Sequence, residues 1–534
     1  MSHDAEREGS ETSHKQKDLM DLVKGNGPWQ WLAFSVILVC NIPDGGYNMS
    51  LTFMAPNVDH WCARPPDSNI SVKEWKETAL PSNDTQCSRY GFNNISASSD
   101  LSFDNTSANT GTATCDSWEY DDSTYTSTIV SQWNLVCDRE WLISVSNYMF
   151  IAGSLLSSTL FAYLTDKFGR KPLVCACNVL AIASGICCIF SNSFPMFAAS
   201  RLLASAGVTG ANQAAATLMV EIVSPKYRPP YTIGRSLAWH VGLLQLPLIA
   251  WWLKSWIWME AVLILPSILL LSCWWLLPES PRWFIARGKT EDALKILSEA
   301  AKANGMEISG IKLEEKVAEL KESTEDDPAR VNVLQLFRPE LRLRTLTLWY
   351  IWSATSFVYF GISYNTNELS GDPFVNFTAY ALIEIPACVL AQSVIQYRGR
   401  RAPLAITMAC AGATSLLVHL IPEEFGWLRT SVPLFGKFCI TATFSILGLF
   451  TPEVFPTVLR SIGYGSASAI STFAAILAPF VRELEHAHHP VFPQIIFGML
   501  SITGGGLALL LPETTDRSIP DTVKEASEIP RRRT

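Results

Sequence analysis

Two stretches of this chain, LVCACNVLAIASGICCIF (173–190) and AVLILPSILLLSCWWLL (261–277), offer no polar face to water. Helical runs approaching ~20 apolar residues match the ~30 Å hydrocarbon core of a bilayer. Helices satisfy their own backbone hydrogen bonds there, as a membrane span must. Charged residues make up only 17% of the 534, against about 25% in soluble proteins. Together these features exclude a secreted enzyme, a nucleic-acid binder and a disordered scaffold. The net charge of −8 at first sits badly with the basic interior loops that membrane proteins carry.

A mean hydropathy of only +0.18 calls for large soluble inserts. The chain divides into a polar N-terminal tail (1–28), a first half (29–277) interrupted by a long loop (51–140), a linker (278–346), a second half (347–513) and a C-terminal tail (514–534). Apolar blocks predict helices near 29–50, 141–164, 173–191, 195–222, 232–253 and 257–277. A second set follows near 347–366, 373–396, 404–421, 431–450, 463–482 and 491–511. Residues 1–28 have no apolar core, so no signal peptide is expected and the first block is read as a retained helix.

Short motifs recur in one order at a nearly constant offset. DKFGRKP (166–172) returns as QYRGRRAP (396–403), EIVSPKYR (221–228) as EVFPTVLR (453–460), and PESPRW (278–283) as PETTDR (512–517). The chain is therefore a tandem duplication with six helices per unit, an organisation shared by many secondary transporters, whose sites lie at the interface of the repeats. Lys167, Arg170 and Lys171 in one hairpin, and Arg398, Arg400 and Arg401 in its repeat, place both hairpins in the cytoplasm by the positive-inside rule. An even helix count puts both termini there too.

The repeated DKFGRKP hairpin, PESPRW and PETTDR resemble the loop motifs of the major facilitator superfamily. Ala162 departs from that pattern, which usually has glycine there, and Gln396 stands where the second copy could have had aspartate. A narrower resemblance rests on STIVSQWNLVC (127–137), TSFVYFG (355–361), GKFCITATFS (436–445) and PEVFPTVLRSIG (452–463). These look like the organic cation, organic anion and carnitine transporter family, solute carrier family 22, over residues 17–525. The resemblance implies an all-α membrane protein with twelve transmembrane helices in two six-helix repeats. It further implies an inner gate built on Asp166, Gly169, Arg170, Gly399 and Arg400. Glu221 and Glu453, which end helices 4 and 10, are expected to pair there with basic residues of the neighbouring hairpins, including Arg228 and Arg460.

The loop 51–140 contains Cys62, Cys87, Cys115 and Cys137, enough for two disulfides in an oxidising compartment, with three possible connectivities. Glycosylation triplets begin at Asn69, Asn83, Asn94 and Asn105. Clustered with the cysteines, opposite the basic hairpins, they predict an extracellular cap. This loop holds 5 basic and 13 acidic residues. The whole net negative charge therefore lies there, and the charge balance supports the topology after all.

Ionisable residues inside membrane helices are costly and so mark candidate function. Glu384 is a candidate counter-ion for an organic cation and matches a glutamate of cation-binding relatives. Lys437, found across cation and anion carriers alike, is expected to pair with a carboxylate such as Glu384. Asp44, in IPDGGYN, is a second candidate. Trp352 and Tyr359 match cavity positions of the family, with Phe444 beside them, and aromatic faces attract cations. His240 is read first as a packing histidine and second as a proton relay. At Thr472, seven residues before Pro479, cation members carry Asp and anion or carnitine members Arg; the charge that sorts the family is absent here. Nothing points to catalysis, a metal or another cofactor. The expectation is a secondary-active or facilitative carrier of small organic cations or zwitterions in the lipid bilayer, working by alternating access. An organic anion exchanger, or a transport-dead receptor using the loop, is the alternative.

Overall fold

The computed structural model describes residues 19–514 apart from 66–69, 83, 91–111, 308–310, 312, 316, 319–332, 365–370, 423, 457–458, 479 and 482–490. Among the described residues, twelve long helices dominate. In the first half these are α1 (Pro28–Met49), α2 (Trp141–Phe168), α3 (Arg170–Ile189), α4 (Phe194–Ile222), α5 (Arg228–Leu253) and α6 (Trp256–Leu269, prolonged through a 3₁₀ turn to Leu276). The second half has α7 (Arg342–Tyr364), α8 (Pro373–Arg398), α9 (Arg401–Leu417), α10 (Gly426–Val454), α11 (Arg460–Leu477) and α12 (Val491–Ala508).

Several helices overrun the bounds expected from apolar blocks. α2 ends at Phe168, α7 begins at Arg342, and α10 covers 29 residues. The extensions carry Asp166, Lys167, Arg342, Arg344 and Glu453, so they continue helically beyond the apolar stretch that marks them in sequence. Six helices are long and apolar enough to cross a membrane by length and composition. α1, α4 and α7 are not among them because their polar residues turn inward: Asn41 and Asp44, Arg201 and Ser205, Thr355 and Ser363 are all buried.

Three apolar clusters organise the packing. One runs across both halves, from Phe53, Leu243 and Met259 to Tyr359, Phe377 and Phe497. It lies toward the end that bears the loop 51–140. At the opposite end, which carries the basic hairpins, each half has a cluster of its own: Leu218, Ile222 and Leu277 in the first, Phe450, Val454 and Leu511 in the second.

The linker helix Thr290–Ala303 has an apolar face of Ala293, Leu297, Ala300 and Ala301. That face joins the first-half cluster, which also holds Leu19, Met20 and Val23. Asn304 fastens it by donating from Nδ2 to the Val23 carbonyl (2.7 Å) and to Gln30 Oε1 (3.0 Å). Leu336 and Leu341, further along, belong to the second-half cluster.

In the loop, strands β1 (His60–Cys62) and β4 (Trp118–Tyr120) pair antiparallel, as do β2 (Ser88–Tyr90) and β3 (Thr112–Thr114). Disulfides join Cys62 to Cys115 and Cys87 to Cys137. Trp61, Trp75 and Leu80 form a small core around the Cys62–Cys115 bridge. The loop docks on the first half: Thr126 N–H donates to the Lys254 carbonyl (2.9 Å), Trp256 Nε1 donates to Gln132 Oε1 (2.8 Å), and Trp133 packs on Phe197 and Trp256. Asn69, Asn83, Asn94 and Asn105 lie outside the described residues.

Candidate functional site

Glu384 projects from α8 into the interior with only 2% of its surface exposed. Its Oε1 is 2.8 Å from Lys437 Nζ of α10 and accepts a hydrogen bond from the Tyr359 hydroxyl of α7, also at 2.8 Å. Its Oε2 lies 3.3 Å from His240 Nε2 of α5. Lys437, equally buried, sits 3.3 Å above the Tyr359 ring centre and donates to Ser363 Oγ. A small cavity borders this group, lined by Met49, Leu243, Tyr359, Ser363, Phe377, Tyr380, Ala381, Glu384 and Lys437. Residues of both halves thus converge on one charge cluster. Removing one member of such a buried pair leaves an uncompensated charge, at a cost of about 3–5 kcal/mol.

The expected aromatic lining extends the site toward the hairpin end. Phe444 meets Tyr359 edge-on (centroids 5.2 Å apart) and Trp352 likewise (6.0 Å). Trp352 also packs on Tyr464 and donates from its indole to Thr451 Oγ1 at 2.9 Å. Thr472 bonds within its own helix, to the Ser468 carbonyl. None of the hydrogen bonds seen for Asp44 reaches the Glu384 cluster. It accepts from Asn48 and from Asn212 of α4, and Asn212 Oδ1 in turn accepts from Arg235 of α5 at 3.1 Å. A single amide therefore stands between a buried acid and a base. Sequence reasoning missed Arg235, although a charge inside the predicted helix 232–253 was the available signal, and missed Asn212, Ser363 and Tyr380, because only the fold shows which neutral side chains face the interior.

At the hairpin end the duplicated motifs adopt the same geometry twice. Arg170 donates to Glu221 Oε1 (2.8 Å) and to the Thr165 carbonyl; Arg400 forms a two-pronged pair with Glu453 (3.1 and 3.2 Å) and reaches the Ile395 carbonyl. Glu221 and Glu453 thus pair with basic residues of the neighbouring hairpins, as expected, but Arg228 and Arg460 are not among those partners. Each of their Nε atoms donates instead to a backbone carbonyl eight residues earlier, that of Val220 or Pro452. Asp166 adds an i,i+4 contact to Arg170 (3.2 Å) while 77% of its side chain stays exposed. Gln396 leaves Arg400 without that aspartate.

Two carboxylates that the motif reading left without a role complete this end. Glu279 of PESPRW accepts from the backbone N–H of Arg170 (2.9 Å) and Lys171 (3.2 Å); Glu513 of PETTDR accepts from Arg400 (2.9 Å) and Arg401 (3.2 Å). Each carboxylate caps the N-terminus of a helix, α3 or α9, where the backbone donors and dipole favour negative charge. Burial nonetheless pushes the Glu279 carboxyl above its ordinary pKa, against the pull of those N–H groups. Gly169 (φ +103°) and Gly399 (φ +85°) form the turns before these helices, and a Cβ on Gly169 would fall 2.4 Å from Glu279 Oε2.

At the loop end, aromatic rings from the two halves close over the cavity. Phe53, in the turn after α1, stacks on Phe374 of α8 (5.5 Å) and meets Phe377 edge-on (5.0 Å); Tyr125 of the loop packs on Phe374 (5.6 Å).

Twelve helices in two matching halves, with a buried charge cluster between them, define a transporter of the major facilitator type. Residues 86–522 match the family described as sugar (and other) transporter, to which the chain belongs. Within the superfamily it is a member of solute carrier family 22. It is 33% identical to human organic cation/carnitine transporter 2 (93% of this chain, 91% of that one) and 32% identical to the organic cation transporter protein of Drosophila melanogaster (93% and 92%). It is also 32% identical to organic anion transporter 3 of Sus scrofa (95% and 93%). The xylose transporter XylE from E. coli, in a partially occluded inward-open conformation, has the same fold: TM-score 0.62 at 16% identity, over 92% of this chain and 99% of that one.

Proposed function

We propose that this transporter carries small organic cations or zwitterions across the plasma membrane, with the loop 51–140 outside and both termini in the cytoplasm. The observation that supports this most is that both signs of charge, Glu384 and Lys437, line one cavity between the halves. A substrate bearing an ammonium and a carboxylate can exchange partners with that ion pair and leave no buried charge unpaired. An organic cation uses the Glu384 side, with Tyr359, Phe444 and Trp352 offering aromatic faces worth about 0.5–2 kcal/mol each. Names of relatives, organic cation/carnitine transporter 2 among them, agree with this reading. A second reading, organic anion exchange, draws on Lys437 and on the similarity to organic anion transporter 3.

In the proposed cycle the halves rock about this site, opening it to one side and then the other. Asp166, Arg170, Glu221, Arg400 and Glu453 keep the inner ends of the helices in register, with Arg228 and Arg460 securing the turns that follow α4 and α10. The loop is proposed to be a glycosylated cap, carrying sugars at Asn69, Asn83, Asn94 and Asn105. Uptake of labelled carnitine, a quaternary amine, a dicarboxylate and an amine–imidazole, with the membrane potential clamped, tests the substrate class. Saturable uptake of carnitine or the amines, lost in Glu384→Gln, is expected. Uptake of the dicarboxylate alone favours the anion reading, and uptake of none despite surface expression contradicts transport of any of these classes.

A further inference from the structure

His240 belongs to α5 of the first half, yet its ring meets α8 of the second. Its Nδ1 lies 2.7 Å from the Ser236 carbonyl oxygen. A carbonyl only accepts, so Nδ1 carries a hydrogen and donates it. Nε2 then faces two groups, Glu384 Oε2 at 3.3 Å and Cys388 Sγ at 3.7 Å. With Nδ1 committed, Nε2 can bond the carboxylate only if it is protonated as well. A neutral ring accepts from the Cys388 thiol instead, whose sulfur is itself held by the Ser445 hydroxyl at 3.1 Å. The charge state of the ring therefore selects between two partners. Only the charged state ties the first half to the carboxylate that also holds Lys437.

Most other titratable groups around α5 are engaged by neutral or oppositely charged partners, Glu260 excepted. Tyr359 and Lys437 occupy Glu384 Oε1. Asp44 of α1 is held by Asn48 and Asn212, and Arg235 by Asn212. Glu260 of α6 is buried, and among the described residues its carboxylate oxygens accept no hydrogen bond. With Oε1 taken by Tyr359 and Lys437, the Oε2 side of Glu384 is where a second positive charge, either a proton on His240 or a ligand, settles beside this carboxylate.

We propose that His240 is a proton-binding site, and that an organic cation taking the Oε2 side of Glu384 drives the proton off. This rests on the transport of organic cations proposed above. The substrate's charged nitrogen replaces the imidazolium beside Oε2. The Nε2–H bond breaks, and the proton leaves to water through the open mouth. Nδ1 stays on Ser236, and Nε2 turns to accept from Cys388. One monovalent cation enters the site for each proton released, so the exchange is electroneutral.

The test uses purified full-length carrier and tetraethylammonium as probe. In weakly buffered solution, binding to the wild type is expected to release about one proton per carrier, and none from His240→Gln. In proteoliposomes with the potential clamped, an interior one pH unit more acidic is expected to raise accumulation up to about tenfold. In His240→Gln that stimulation disappears, whatever rate remains. Wild-type uptake indifferent to the gradient, or stimulation persisting in His240→Gln, overturns the proposal. If the variant does not fold, proton release by the wild type alone decides. If the wild type takes up neither tetraethylammonium nor carnitine, the transport reading has failed by itself. The proton site is then judged on melting temperature, expected to fall by several degrees between pH 6 and pH 9 in the wild type and not in His240→Gln. Equal pH responses in the two overturn it.

Discussion

At the loop end the two halves share one apolar core, in which Phe53 and Tyr125 of the first pack on Phe374 of the second. At the hairpin end the cores are separate, and each half has its own arginine–glutamate pair, Arg170–Glu221 or Arg400–Glu453. The two ends use different physics for different tasks. Apolar surfaces adhere without strict geometry and can part and re-form. Partly buried, directional ion pairs hold the helices of one half in fixed register. Among the described ion pairs, those at the hairpin end remain within a half, while the contact of His240 with Glu384 crosses between halves. Charge therefore stiffens each half at the hairpin end, and apolar contact closes the loop end.

The largest break in this comparison is expected from Gly169→Val. Its backbone (φ +103°, ψ 166°) costs a side-chain-bearing residue about 1–3 kcal/mol, and the new Cβ collides with the carboxylate that caps α3. Surface biotinylation should show little folded carrier. Next comes Phe374→Ala, which removes the ring shared by Phe53 and Tyr125; buried phenylalanine truncations cost about 3–5 kcal/mol. The loop end should open, so that a cysteine placed at Phe377 reacts with an impermeant maleimide several-fold faster than in the unaltered background. Arg170→Ala and Arg400→Ala should each lower turnover at least tenfold while surface expression falls less, as compared by initial uptake rate per carrier at the surface. Asp166→Asn should do less, because that side chain is mostly exposed. Smallest is Gln396→Asp, which restores the missing i,i+4 partner of Arg400 and should stabilise by only about 0.2–0.5 kcal/mol. A melting-temperature rise of a degree or so is the readout.

Much of the frame was legible in the chain because membranes impose long apolar runs and the duplication repeats its motifs at one offset. The Glu384–Lys437 pair was legible for the same reason: charge inside such a run is rare enough to stand out. Other features were hidden for identifiable causes. Phe53 and Phe374 are ordinary apolar residues in a chain with 26 phenylalanines, and only the folded arrangement shows that they meet. Glu279 and Glu513 cap helices that begin more than a hundred residues earlier, a contact no local pattern encodes. The expectation that Arg228 and Arg460 join the hairpin bases around Glu221 and Glu453 came from their place in the same motif. The hairpin arginines lie nearer in space. His240 read as packing because its partners sit on the other half of the molecule.

Pulsed electron–electron double resonance between spin labels tests the alternating-access account most directly, with one pair at the loop end, on the exposed Trp141 and Val375, and another on the hairpins at Lys167 and Arg398. In a carrier reconstituted in lipid and cycling with a transported cation, the account predicts opposite shifts. As the loop-end pair gains a longer distance, the hairpin pair gains a shorter one. Distances that stay fixed at both ends, or lengthen together, would contradict it.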